Sequence, residues 1–149
     1  MEDLPPDFKA FLKLLTKRNV RFLIVGGYTV AHQGFPRYTQ NNHVWVAIDE
    51  LNAQRVVEVI REFGFDTPQL NKSLFTTAGR ITRMGKEPVN IEVMTSISGA
   101  SFEICYPNRV NLEIDGIQVP FIGLADLRAN KTASGRPKDL GDLDNLPDA

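Results

Sequence analysis

Two glycines, Gly26-Gly27, end the apolar run Phe22-Leu23-Ile24-Val25, and a stretch of helical character from Tyr28 to Gln33 follows. Neither glycine has a Cβ to keep a ligand off the backbone. A phosphate at the start of the next helix would meet unpaired N–H groups and a favourable dipole. Taken alone, the pair is also what a tight strand-to-helix turn requires with no ligand at all. Arg37, just after Pro36, carries a fork that suits a phosphate or a surface carboxylate equally. Lys131, Arg136 and Lys138 form one local cluster of positive charge, fit for a triphosphate or a polynucleotide. Asp139, Asp142, Asp144 and Asp148 lie beside them and would neutralise that cluster by pairing across helix turns. His43 offers a nitrogen suited to a softer metal than magnesium, and beside Asn41 and Asn42 it also reads as an ordinary polar residue. Cys105 stands alone with no histidine near it in sequence, so it reads as structural and not as a nucleophile. His32 reads as a packing residue of the short helix.

The rest of the composition bounds the classes to consider. The chain has 149 residues, 42% hydrophobic and 23% charged, which is one ordinary globular domain with a real core. A single cysteine excludes a disulfide within one chain and fits a reducing cytoplasm. Met1-Glu2-Asp3-Leu4-Pro5-Pro6 has neither the basic nor the apolar part of a signal peptide. No apolar run approaches the ~18 residues of a membrane span. A net charge of -1 gives no global attraction to nucleic acid, so that partner is not indicated.

The elements that must position these residues follow from periodicity. Phe8, Phe11, Leu12 and Leu15 share one helical face, opened near Pro5-Pro6 and closed by Lys17-Arg18-Asn19. Residues 21 to 25 form a short strand and 43 to 48 a second. Asp49 caps a helix carrying Ala53, Val56, Val57 and Ile60, and Gly64 ends it. Residues 66 to 73 are a loop. A hairpin is expected with Leu74–Thr77 and Arg80–Met84 as arms and Ala78-Gly79 as its turn, then a loop from Gly85 to Pro88. Val89–Met94 alternates as a strand, with Val89, Ile91 and Val93 on one face and Asn90, Glu92 and Met94 on the other. Ser101–Ile104 reads as a short helical turn. Asp115-Gly116 joins strands 109–113 and 117–121 in a type I′ hairpin. A helix is expected over 123–131, and Pro137 opens a last one. The fold class is α/β (α+β): one domain, 1–149, with a mixed sheet of about five or six strands flanked by helices.

Four segments in this order resemble the nucleotidyltransferase superfamily, which includes DNA polymerase beta, and in particular its small bacterial members. They are Val25-Gly26-Gly27-Tyr28, His32 through Thr39, Ile91 through Gly99, and Asn130-Lys131 through Leu140. The resemblance covers nearly the whole chain. It implies that Gly26 and Gly27 hold nucleotide phosphates, with Arg37 and Lys131 as further nucleotide contacts. It also implies that an Asp-x-Asp pair at the start of the second strand, joined by an acid from a later strand, holds Mg²⁺. Here the pair falls on Asn41 and His43, and the third acid on Glu92.

Transfer of a nucleoside monophosphate from an NTP to a hydroxyl needs the nucleophile aligned and the phosphate charge neutralised. Mg²⁺ does both and prefers hard oxygen ligands. Asn41 supplies a neutral oxygen and His43 a nitrogen, so Glu92 is the one anionic ligand left and the catalytic candidate. The resemblance therefore implies a nucleotidyltransferase-family protein with metal and Mg-nucleotide binding weakened or lost. The rival implication is a non-catalytic scaffold that binds a protein partner in an antitoxin-like role.

Overall fold

The computed structural model describes residues 5–25, 41–86 and 89–146. Among them, six strands form one mixed sheet: β1 (Phe22–Val25), β2 (Asn41–Val46), β3 (Ile81–Lys86), β4 (Val89–Met94), β5 (Val110–Ile114) and β6 (Ile117–Phe121). Their order is β3-β4-β2-β1-β6-β5. The pairs β2/β4 and β1/β6 are parallel, and the other three are antiparallel. The helices are α1 (Pro6–Lys17), α2 (Glu50–Phe63), the single turn α3 (Phe102–Cys105), α4 (Leu124–Ser134) and α5 (Pro137–Asn145).

The central strands explain why the short run at 22–25 is apolar throughout. Phe22 and Ile24 join a core with Phe8, Phe11, Leu12 and Leu15 of α1 and with Val56, Val59 and Ile60 of α2. Leu23 and Val25 face a second core with Trp45, Met94, Phe102, Leu127 and Leu146. A strand covered on both faces has no reason to alternate. β2 does alternate, with Val44 and Val46 in the first core and Trp45 in the second, which sets His43 on the Trp45 face.

Local signals place α1, α2 and α5 as the sequence leads one to expect, while α4 runs on past Lys131 to Ser134. Pro6 opens α1. Asp49 caps α2 by accepting the Asn52 N–H at 2.7 Å, and Gly64 closes it at φ 113°. Asp115 and Gly116 both have positive φ, 51° and 84°, as a type I′ hairpin requires. Pro137 is the first residue of α5.

Three expectations need correction. Residues 74–84 do not form a hairpin. Lys72–Phe75 is a 3-10 turn capped by Asn71, which accepts the Ser73 N–H at 2.9 Å and lets Phe75 enter the first core fully buried. Tertiary burial of one aromatic wins there over local alternation. The real hairpin is β3 with β4, so Gly85 and Lys86, read as loop, continue the strand. The second strand spans 41–46 and not 43–48, because parallel pairing with β4 begins at Asn41 and the ladder leaves β2 near Ala47. The helix expected over Tyr28–Gln33 lies outside the described residues.

Gly99 anchors the loop after β4 on α4. Its φ is +69°, and a Cβ there would run into the Ala133 Cβ and lie 3.2 Å from the Ala129 carbonyl oxygen. Asn130 Nδ2 donates to the Ser98 carbonyl at 2.9 Å beside it. Gly99→Ala is therefore expected to cost about 1–3 kcal/mol through overpacking. Urea titration should show a lower midpoint with an unchanged slope.

Candidate functional site

The β-ladders assemble a row across four strands. Arg83 on β3 stands opposite Glu92 on β4, Glu92 opposite His43 on β2, and His43 opposite Val25 on β1. The parallel register of β2 and β4 also sets the backbone of Asn41 opposite Asn90. The positions that sequence resemblance links to a metal, 41, 43 and 92, are thus brought to one end of the sheet by two adjacent strands.

Glu92 is held from both sides. Arg83 Nε donates to its Oε2 at 2.9 Å, while His43 Nε2 lies 3.4 Å from its Oε1. The Glu92 side chain is 12% exposed and that of His43 19%, whereas Arg83 is 71% exposed. His43 Nε2 is itself buried and makes no aligned hydrogen bond. Burial lowers the His43 pKa, the Glu92 charge opposes that, and the positive charges of Lys138, Lys131 and Arg136 lower it further. Together these hold the His43 imidazole below its ordinary range, with the cations at the α4–α5 junction acting on it electrostatically.

Lys131 occupies a buried ionic cluster. Its Nζ lies 3.2 Å from Asp139 Oδ1 and 3.2 Å from Asp142 Oδ2, and all three residues are at most 3% exposed. Asp139 also accepts from Ser134 Oγ at 2.6 Å and from Arg136 Nε at 2.5 Å. Arg136–Asp139 is the pairing across one helix turn that the sequence suggests. The Lys131 contacts run instead from α4 to α5, which fixes one helix to the other. Its ammonium is directed at two carboxylates, while the Arg136 side chain remains 59% exposed.

Gly26, Gly27 and Arg37, the remaining nucleotide-binding expectations, lie outside the described residues, as does His32. Cys105 is a free, buried thiol. Burial, followed by the charge of Asp126, pushes its pKa up to about 11, so it is no nucleophile at neutral pH.

The donor set does not fit Mg²⁺. Among the described residues, no group of three or more His, Cys, Asp and Glu side chains is arranged to hold a metal ion. Glu92 and His43 meet, but they offer one carboxylate, already bonded to Arg83, and one imidazole. A small hard dication prefers oxygen ligands of higher charge. Sequence reasoning missed Arg83. Its pairing with Glu92 follows once Ile81–Lys86 and Val89–Met94 are recognised as two arms of a hairpin.

No helix among the described residues is long and apolar enough to cross a membrane. No family model matches the sequence, and no curated protein matches it. Among solved structures, the chain is similar to a crystal structure from Thermotoga maritima provisionally named a nucleotidyltransferase. The identity is 15%, the TM-score 0.64, and the match covers 93% of this chain and 88% of that one. That likeness establishes the architecture: a six-stranded mixed sheet flanked by helices, the nucleotidyltransferase fold.

Proposed function

We propose that this nucleotidyltransferase-fold chain descends from enzymes that move a nucleoside monophosphate from an NTP to a hydroxyl, and that it has lost the metal-dependent step. The observation that carries this reading is the β2–β4 register, which sets His43 opposite Glu92 and Asn41 opposite Asn90. Of the three positions that the resemblance links to a metal, 41, 43 and 92, only Glu92 contributes a negative charge. Two carboxylates are missing from a site whose cation must be held against competition from water. A dication that prefers hard anionic oxygens gains little from an amide and an imidazole.

The reading supports a definite result. Incubation with α-labelled ATP, CTP, GTP or UTP and either Mg²⁺ or Mn²⁺ yields no label on protein or added hydroxyl acceptors above a protein-free control. Calorimetric titration with Mg-ATP gives no binding in the micromolar range. Metal-dependent label transfer by the wild-type chain, or micromolar Mg-ATP affinity, would overturn the proposal.

A further inference from the structure

We propose that Arg83 acts as the resident counter-cation of Glu92 and keeps a divalent metal off the one carboxylate among positions 41, 43 and 92. The inference rests on the reading above and goes one step past it. The missing aspartates account for two lost charges, whereas Arg83 concerns the charge that remains.

The geometry is specific. Glu92 lies on β4 with a basic side chain in register on each neighbouring strand, Arg83 on β3 and His43 on β2. The Arg83 bond takes Oε2 at 2.9 Å and His43 faces Oε1 at 3.4 Å, so both oxygens are already approached by nitrogen. With its side chain only 12% exposed, Glu92 needs a partner charge more than a solvated surface residue does. Arg83 supplies that charge while most of its own side chain stays in water. The pair is neutral, and the α4–α5 junction, whose Lys138, Lys131 and Arg136 act on His43, balances Lys131 and Arg136 with Asp139 and Asp142. An arriving dication must therefore displace a guanidinium from Glu92. Putting aspartates back at 41 and 43 removes only part of that obstacle.

The test compares Asn41→Asp/His43→Asp with the same pair plus Arg83→Gln, titrated with Mn²⁺ and followed by electron paramagnetic resonance. The triple variant is expected to bind Mn²⁺ at least tenfold more tightly than the double, and equal affinities would overturn the proposal. A second arm does not depend on the acidic variants folding. Wild-type protein, Arg83→Gln and Arg83→Lys are titrated with Tb³⁺, whose emission Trp45, two residues along β2 from His43, would sensitise. Arg83→Gln should bind Tb³⁺ several-fold more tightly than wild type, and Arg83→Lys, which keeps the charge, should stay near wild type. If Arg83→Gln leaves the Tb³⁺ affinity unchanged, Arg83 is not the barrier. Micromolar Mn²⁺ binding by the wild-type chain would sink the wider reading of a disabled cleft as well, whereas failure of Arg83→Gln alone leaves that reading standing.

Discussion

Replacing Lys131 by methionine lowers the unfolding free energy by about 3–5 kcal/mol, the cost of leaving buried carboxylates without their partner. For a chain of this size that is a fall of roughly 10–15 °C in the thermal midpoint. The cause is the cluster at the α4–α5 junction, where one ammonium serves Asp139 and Asp142, each at 3.2 Å and all almost fully buried. Methionine matches the stem but removes the ammonium that Asp139 and Asp142 both face, leaving Asp139 to Arg136 and Ser134. Adding Asp142→Asn to Lys131→Met should recover part of the loss, because it removes one of the two buried carboxylate charges that the ammonium balances. A loss below about 1 kcal/mol on urea titration would contradict this account, since it would place the cluster among weak surface pairs.

The same cluster sets an acid limb. Burial pushes the Asp139 carboxyl upward, but hydrogen bonds from Arg136, Ser134 and Lys131 outweigh it and hold the group well below the usual carboxylate range. The unfolded chain then binds more protons than the folded one under acid conditions. The stability contributed by Asp139 is accordingly present above the ordinary aspartate pKa of about 4 and lost as pH falls below it. In Lys131→Met that limb should be shallower, because one of the groups holding the carboxylate charged has gone.

Asn52→Ala is the second large effect, expected to cost about 2–4 kcal/mol from buried polar groups left unpaired. Asn52 is 3% exposed and its amide ties three segments together. Oδ1 accepts the Arg21 N–H at 2.7 Å, while Nδ2 donates to the Arg21 carbonyl at 3.2 Å and to the Ala47 carbonyl at 2.9 Å. The first turn of α2 is thereby pinned to the start of β1 and the end of β2. Alanine leaves one backbone donor and two acceptors without that partner. Asn52→Asp should be no better, because a carboxylate cannot donate to two carbonyls. Hydrogen exchange gives a local check: the Arg21 amide should lose protection in both variants, and unchanged protection would argue against the strut. The Arg21 guanidinium bonds to Asp49 and Glu103 are untouched by either change.

These two residues show what the sequence could and could not disclose. α1, α2 and the Asp115-Gly116 turn rest on signals a few residues apart, so they are legible: a repeat of apolar positions, an N-cap, a glycine at positive φ. The segment 72–86 misled because a single buried aromatic, Phe75, decides its backbone, and burial is a property of the whole fold. Asn52 carries no local sequence signal, since its three bonds go to residues 5 and 31 positions away. Lys131 announced its charge but not its direction, and the direction is set by how α5 folds back on α4. In the candidate site, Glu92 and His43 were visible through the resemblance. Arg83 was not, because its role exists only in the β3–β4 register.

The buried Cys105 has a practical consequence for all of these measurements. A thiol reagent needs the sulfur both exposed and ionised, and the folded protein denies it both. Modification therefore waits for the second core to open, and its rate counts those openings at a position reached by no other thiol in the chain. With one cysteine, the molecule holds an internal clock for its own breathing. Comparing that clock in wild type, Lys131→Met and Asn52→Ala would separate weakening at the α4–α5 junction from weakening at the opposite end of the sheet.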